Sequence, residues 1–484
     1  MTSRPHSPHT PHPRYVGRRT LLTRTAAASL FGIPALGALT SCASGGSGSG
    51  GNTNVERVDP TADNPLGAHP DGEIEVVIFD GGFGDQYAID AEKLYEERFG
   101  AVTHVKTQEI QSRIQPRMVK GDPPDVIDNS GAEAMDIAAL IRNDQVHDLT
   151  ELLDAPSLDD PSVTVRDTLQ PGTVEMGQFG TQAVYRINYA YHVYGQWYSR
   201  TALDRLDAEY PRTWDEMIAV CEKAKRAGMA GWTYAGQYPY YFNFTLYPFI
   251  AKIGGADVLR AIDNLEPNAW RHEAVRAAFE AYHELTARGY VLEGSPGLSH
   301  EESQDEWCAG RALFIPNGSW VENEAAKNTP ADFDMAVGPP TSLDTSDAMP
   351  FETIWASPGE PFFVPSDAAN VAGGMEFLRI MLGRESARNF TQLVSSLTCV
   401  RDSVDGLDLP PGLTSANDTL AAAGDHLVTP RMPDWYRQLN NEEIGGAIAA
   451  MMAGDIDPDE AITRCQRAAD AAAADDSLVK FEHI

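Results

Sequence analysis

The feature that most restricts the fold is an alternation of short apolar runs and amphipathic segments early in the globular part of the chain. Residues 73–79, 102–106 and 125–129 are rich in aliphatic and β-branched side chains and predict three strands. Segments 87–99, 110–119 and 135–141 have the apolar spacing of helices. Because strands that alternate with helices are typical of a largely parallel sheet, the sequence predicts an α/β lobe.

The rest of the chain predicts further helices and strands. Thr213 and Glu216 stand at the first and fourth positions of a capping box, a pattern that begins many helices. The other predicted elements are a helix at 270–288, a strand at 311–315 that ends at Pro316-Asn317-Gly318, a strand at 362–364, and helices at 374–382 and 442–473. A chain of 484 residues is long for one hydrophobic core, so we expect two lobes.

The first 42 residues have the parts of an export signal in the right order. Arg18-Arg19 precede an apolar run at 26–39 that is too short to span a bilayer. The run closes at residues 39–42 with Leu-Thr-Ser-Cys, which resembles the bacterial lipobox. We therefore predict a twin-arginine lipoprotein signal peptide at 1–41, a lipidated Cys42 and a flexible tether to residue 71. A signal peptide that ends in an incidental cysteine is the alternative.

Charge and cysteine spacing argue against several classes of protein. The formal net charge is −33, and so acidic a surface disfavours nucleic acid and anionic lipid headgroups as partners. The cysteines beyond Cys42 have no zinc-binding spacing, so we predict neither a metal site nor a cofactor. We interpret them as buried thiols, with a disulfide as the alternative; they are Cys221, Cys308, Cys399 and Cys465.

Polar residues follow two of the predicted strands, at the sheet edge where open α/β folds bind ligands. Asp80 and Asp85 flank a glycine-rich turn at 81–84 that lacks the glycine spacing and the lysine of a phosphate-binding loop. The two carboxylates suit hydroxyl groups, with Phe83 between them, and a turn or helix-capping role is the alternative. The third strand is followed by two more candidates with the same alternative, Asp128 and Asn129.

Aromatic residues are concentrated in the second half of the chain. Segment 232–244 holds seven Trp, Tyr or Phe residues in thirteen. Flat rings stack on the apolar face of a pyranose while polar neighbours bind its hydroxyls, and packing in a buried helix is the alternative. Trp320 follows the strand at 311–315, where an exposed ring is costly without a ligand. The binding candidates in this half are Tyr234, Tyr238, Tyr240, Tyr241, Trp320, Glu322 and Trp355.

Several strings of residues resemble one family over nearly all of the chain beyond the tether. Residues 310–320 are similar to the G-x-A-x-M-x-x-N-G-x-W stretch of the extracellular solute-binding proteins of carbohydrate ABC importers. Residues 211–216 resemble their P-x-T-W-D/E segment. Within the family, the strings that resemble actinobacterial lipoproteins for N-acetylglucosamine and diacetylchitobiose lie at 126–131, 166–177, 233–236, 264–270 and 318–323.

The resemblance implies a periplasmic-binding-protein type II-like fold, in which two α/β lobes are joined by a hinge of crossing segments. It places the first lobe at 72–180 and 338–400 and the second at 181–337 and 401–484. It also implies that sugar binds between the lobes, with Trp320 as the stacking ring, Asp128 and Asn129 from the first lobe, and tyrosines near 238–241 from the second.

The resemblance also implies an exported, monomeric protein, anchored to the outer face of the cell membrane, that delivers sugar to a permease and is not an enzyme. One alternative is a secreted glycoside hydrolase, which needs two carboxylates about 5–10 Å apart across the sugar. The other alternative is a sugar-sensing or accessory lipoprotein of the same fold.

Overall fold

The computed structural model describes residues 54–131 and 133–483. The predicted signal peptide, Cys42 and the first part of the tether lie outside the described residues. These described residues form one compact unit. None of the described helices is both long enough and apolar enough to cross a membrane.

Ten strands of the described chain form one mixed sheet. Seven of them follow the order β2-β1-β3-β8-β4-β6-β5, while β10 pairs with β8, and both β7 and β9 pair with β4. The first three strands are parallel, as the sequence predicts, because helices connect them. The strands are β1 Ile74–Phe79, β2 Val102–Thr107, β3 Val126–Asp128, β4 Ile187–Ser199, β5 Ala230–Trp232, β6 Ala312–Gly318, β7 Met335–Gly338, β8 Ile354–Phe363, β9 Leu397–Thr398 and β10 Leu427–Val428.

Helices cover the sheet on both sides. The predicted capping box is present: Thr213 accepts from the Glu216 amide, and Glu216 accepts from the Thr213 amide. The helices are α1 Gln86–Glu96, α2 Ile110–Lys120, α3 Ile137–Arg142, α4 Thr150–Asp154, α5 Arg200–Arg205, α6 Trp214–Arg226, α7 Asn243–Gly254, α8 Ala256–Asp263, α9 Glu273–Ala287, α10 His300–Cys308, α11 Val321–Glu324, α12 Val371–Met381, α13 Arg384–Val394, α14 Pro411–Ala423, α15 Met432–Trp435, α16 Gly445–Met452 and α17 Pro458–Ala474, with a π-helical turn at Leu439–Ile444.

Two long strands, β4 and β8, run antiparallel through the centre of the sheet. They pair from Ile187 with Phe362 to Tyr194 with Trp355. One end of this pair meets β3, and the other end of β4 meets β6 and β7. The two strands therefore connect the two halves of the sheet, which is what crossing segments between lobes must do.

The buried side chains separate into groups on the two halves of the sheet. What we call the first core surrounds β1, β3, α1, α12 and α13. The second core surrounds β5, β6, α6, α7, α9 and α17. The lobe boundaries stay a prediction; Leu343, Met349 and Trp355, which we assigned to the first lobe, pack against the second core.

Two further expectations have an outcome here. The four cysteines beyond Cys42 are free and buried, which confirms their interpretation as buried thiols. The expected end of the strand after Ile315 is wrong, because Pro316, Asn317 and Gly318 continue β6 by pairing with Gln196, Gly195 and Tyr194. The loop that carries Trp320 therefore begins only after Gly318.

Candidate ligand-binding site

The glycine-rich turn after β1 carries Phe83 to the junction between the two cores. The Phe83 ring lies parallel to the His192 ring on β4, with centroids 6.0 Å apart and an interplanar angle of 16°. It also packs edge-to-face on Phe390 of α13 at 5.1 Å. Since Phe83 is half-buried and rests on the first core, its other edge remains open to a ligand.

The two carboxylates that flank this turn bind basic side chains of β2. Lys106 Nζ lies 3.2 Å from Asp80 Oδ1 and 3.2 Å from Asp85 Oδ2, and His104 Nε2 lies 3.4 Å from Asp85. Partial burial alone would raise the pKa of Asp85, but the Lys106 hydrogen bond and charge lower it. Asp85 stands at the N-cap position of α1, but its side chain makes no capping hydrogen bond. Its carboxylate pairs with Lys106 instead of capping the helix.

Asp128 lies at the carboxyl end of β3 and is fully buried. Its carboxylate accepts the Phe79 amide at 3.2 Å, the Tyr87 hydroxyl at 3.5 Å and the Ser130 hydroxyl. Burial raises the pKa of Asp128 to about 6. With these donors in place, Asp128 holds the floor of the site together, and its own oxygens have little capacity left for a sugar.

Asn129 is also committed to the protein. Its side-chain amide donates to the Met135 carbonyl at 3.0 Å, and its carbonyl accepts the Met135 amide at 2.8 Å. The Asn129 backbone amide donates to Pro361 on β8 at 2.8 Å. These bonds close the loop that follows β3, so the geometry favours a loop-closing role.

Trp320 lies among four rings that all meet it nearly perpendicularly. The centroid distances are 5.1 Å to His192, 5.6 Å to Tyr194, 5.6 Å to Phe244 and 6.1 Å to Tyr241. A Cβ on Gly318 would lie 2.1 Å from the Trp320 ring, so glycine is needed there for the ring to settle on the backbone. Trp320 itself is half-buried. The indole is thus firmly positioned, and part of it remains accessible.

The four candidate tyrosines occupy different positions. Tyr238 is 37 % exposed and its ring lies 5.3 Å from His300, while Tyr240 is half-buried beside it. Tyr241 is buried against Trp320, with burial raising the pKa of its hydroxyl. Tyr234 packs inside the second core at 4.6 Å from Phe242. Tyr241 therefore contacts Trp320, and Tyr240 and Tyr238 follow it in a row of adjacent rings. Tyr234 packs in the second core instead.

Trp355 and Glu322 have structural contacts. The Trp355 ring stacks on Tyr194 at 4.4 Å and its indole donates to Ser357 at 3.1 Å. The Glu322 carboxylate accepts the backbone amides of Gly412 at 2.8 Å and Leu413 at 2.7 Å, at the start of α14. Glu322 therefore caps a helix that lies 90 residues away in sequence, and Tyr194 and Phe244 lie between Trp355 and Trp320.

Three residues of the site were absent from the sequence-based candidates. His192 is buried between Phe83 and Trp320, and burial lowers its pKa to about 4, so the imidazole is neutral at pH 7. Glu324 lies beside the glycine-rich turn, where Gln304 donates to it at 2.8 Å. Glu360 lies within β8 at φ +55°. Both residues are half-buried, and the loss of solvent around their carboxyls raises the pKa values.

Contacts join the loops of the two halves around this cluster of rings. The Asn323 side chain donates to the Gly82 carbonyl, and Arg437 donates to the Gly131 carbonyl at 2.8 Å. A Cβ on Gly82 would lie 3.0 Å from the Glu324 carboxylate, so the turn packs closely against α11. In the described part of the chain, no group of three or more His, Cys, Asp or Glu side chains is placed to hold a metal ion. The arrangement suits an uncharged ligand with flat apolar faces and hydrogen-bonding edges.

Comparisons with known proteins identify the family. Residues 93–388 match the family described as bacterial extracellular solute-binding protein. The chain is 32% identical over 470 residues to the diacetylchitobiose-binding protein NgcE of Streptomyces coelicolor, which covers 96% of this chain and 98% of NgcE. The expected resemblance to a protein that binds diacetylchitobiose is thereby confirmed.

Two solved structures share the fold. The apo form of RafE from Streptococcus pneumoniae superimposes with a TM-score of 0.65 at 15% identity, covering 82% of this chain and 97% of RafE. A chitin oligosaccharide-binding protein superimposes with a TM-score of 0.61 at 19% identity, covering 80% of this chain and 94% of the other. The fold is therefore of the periplasmic-binding-protein type, as expected. The chain belongs to the bacterial extracellular solute-binding protein family, an exported class.

Proposed function

We propose that this protein is the carbohydrate receptor of an ABC importer and that it captures N-acetylglucosamine or N,N'-diacetylchitobiose. The observation that carries the proposal is the ring cluster around Trp320, His192 and Phe83, where loops of the two halves meet. Similarity to NgcE along almost the whole length of both chains supports this choice of sugar.

The mechanism that fits these contacts is closure of two lobes on the sugar. Trp320 stacks on one pyranose face, and polar side chains at the rim bind hydroxyl and acetamido groups. Sugar favours the closed state because only that state makes contacts from both sides. The closed monomer then docks on the permease and releases the sugar unchanged.

Hydrolysis is the competing activity, and the contacts of Asp80, Asp85 and Asp128 argue against these three carboxylates as its catalytic pair. A glycosidase needs one carboxyl to protonate the leaving group and another free to attack or activate water. Asp80 and Asp85 are ion-paired with Lys106, and Asp128 accepts three donors from the protein. Incubation of the purified protein with diacetylchitobiose is expected to return the disaccharide intact.

A thermal-shift panel tests the choice of sugar. N,N'-diacetylchitobiose at about 100 times its dissociation constant is expected to add about 2.7 kcal/mol to the free energy of unfolding. Maltose, raffinose and cellobiose at equal concentration serve as controls and should leave the midpoint unchanged. A larger shift with any of these controls would contradict the proposed specificity. Sugar uptake in a strain that lacks the gene separates a transport role from a sensing or accessory role.

We further propose that Cys42 carries the lipid anchor. Replacing Cys42 with serine is expected to move the protein from the membrane fraction to the medium, because two acyl chains supply stable anchoring. Fractionation of cells that express either form measures the change, with Cys221→Ser as the matched control, because that thiol is buried. Retention of the Cys42→Ser protein on the membrane would contradict the anchor.

A further inference from the structure

Glu360 occupies a strained position in the middle of a central strand. It has φ +55°, a left-handed value that is costly for a residue with a Cβ. The pairing between β4 and β8 includes Asn188 with Pro361 and Ala190 with Gly359 but omits the intervening pair. The strand is otherwise paired on both sides. A strained residue at such a position points to a function for its side chain.

The strained backbone places the Glu360 side chain at the floor of the candidate site. Antiparallel pairing of Asp128 with Phe362 brings Ser130 opposite Glu360, beside the Asp128 carboxylate. On the other side, a Cβ on Gly359 would lie 2.4 Å from the His192 ring, so this ring covers the residue next to Glu360. His192 in turn contacts both Phe83 and Trp320.

We propose that Glu360 is a specificity-determining residue of the candidate site, which binds the sugar as a neutral carboxylic acid held in place by Asp128. Its hydroxyl donates to the Asp128 carboxylate, which leaves its carbonyl oxygen to accept a hydroxyl or acetamido N–H of the ligand. This inference rests on the proposed function and assigns to one residue a role in that function.

The surroundings of Glu360 support the neutral form. The groups around it are Asp128 at the end of β3, Ser130 in the loop that follows, Tyr87 on α1 and Tyr189 opposite it on β4, and none of these is a cation. Burial raises the pKa of Glu360 well above its usual range, and the Asp128 carboxylate raises it further. Glu360 is nevertheless only half-buried, so a ligand in the cleft can reach it.

A neutral acid predicts a preference among amino sugars. An ionised carboxylate would attract the ammonium group of a deacetylated sugar, whereas a protonated acid gains only a hydrogen bond. The site should therefore favour the N-acetylated disaccharide over its deacetylated form.

The test compares Glu360→Gln and Glu360→Ala by titration calorimetry with N,N'-diacetylchitobiose at pH 7. Glutamine keeps a donor for Asp128 and a carbonyl for the ligand, so its affinity is expected to stay within about threefold of wild type. Alanine keeps the positive-φ strain but removes both groups, and its affinity is expected to fall at least about tenfold, a typical loss for a buried hydrogen bond to a ligand. Glu209→Gln, at an exposed glutamate of the second half, is the matched control.

Two results would overturn the inference: equal affinity of Glu360→Ala and wild type, or an equal loss in both Glu360 variants. Failure of the proposed function is distinct, because then the wild-type protein itself would bind no saccharide.

Unfolding midpoints between pH 5 and pH 8 supply a readout that does not depend on the ligand. Folded Glu360 keeps a proton that the unfolded chain releases above pH 4.5, so the contribution of Glu360 to wild-type stability falls as pH rises. Glu360→Gln has no proton to release, so its unfolding midpoint should rise relative to that of wild type between pH 5 and pH 8. A difference in midpoint that stays constant over this range would contradict a neutral Glu360.

Discussion

Replacing Trp320 with alanine is expected to weaken sugar binding by roughly 1–3 kcal/mol, or about 5- to 150-fold in dissociation constant. The expected loss follows from the stacking surface that the indole offers among His192, Tyr194, Phe244 and Tyr241. Titration calorimetry with N,N'-diacetylchitobiose measures it, at a temperature where circular dichroism shows the variant folded. Unchanged affinity would mean that the binding site lies elsewhere.

Two companion variants separate the ring from its position. Trp320→Phe keeps an aromatic face and is expected to lose less affinity than Trp320→Ala. Gly318→Ala keeps the indole but adds a methyl group that would lie 2.1 Å from it, which forces the ring to move. Affinity should therefore fall in Gly318→Ala although no group that contacts the ligand has been removed. Full affinity in Gly318→Ala would contradict the fixed position of Trp320.

Replacing Asp128 with alanine is expected to lower the free energy of unfolding by about 2–4 kcal/mol, because it leaves buried donors without an acceptor. The donors are the Phe79 amide, the Tyr87 hydroxyl and the Ser130 hydroxyl. Chemical denaturation measures the change, and affinity for the sugar should also fall because the floor of the site loses its support.

Asp80→Ala is the matched control for Asp128→Ala. Asp80 follows a neighbouring strand, but it is partly exposed and its carboxylate is paired only with Lys106 at 3.2 Å. An ion pair at the surface contributes about 0–1 kcal/mol, so the stability should change little. Equal losses in the two variants would contradict the distinction between a buried supporting carboxylate and a surface one.

The sequence predicts the first half of the fold well because the signals there are local. The strands β1, β2 and β3 are short apolar runs, and helices separate them at regular intervals. The capping box of Thr213 and Glu216 likewise depends on residues three positions apart. Such features need no knowledge of the tertiary structure.

Of the two central strands, the sequence predicts only the end of β8 at 362–363, and the rest was missed for a physical reason. All thirteen residues of β4 are buried, including Asn188, His192 and Gln196, so the strand lacks the alternation that marks a half-exposed one. In β8, the residues Pro358-Gly359-Glu360-Pro361 have the composition of a turn. His192 and Glu360 lie on these two strands and were missed with them.

The candidate site was predicted in part. Trp320, Tyr238, Tyr240, Tyr241 and Phe83 were chosen by residue type, and the structure brings them near one another or near His192. The polar candidates Glu322 and Asn129 are instead bound to other parts of the protein, which residue type alone could not show. Glu322 meets α14 some 90 positions later, and Asn129 closes its own loop through Met135. Only the folded chain reveals which hydrogen-bonding groups are already occupied.

The central claim is that the cleft around Trp320 binds a saccharide and returns it unchanged. Titration calorimetry of the purified protein with N,N'-diacetylchitobiose, followed by mass spectrometry of the recovered sugar, tests it most directly. We predict saturable binding of one disaccharide per chain and recovery of all of the disaccharide intact. In Trp320→Ala, binding should be abolished or strongly weakened. Absence of heat with this and every other saccharide, or recovery of monosaccharide, would contradict it.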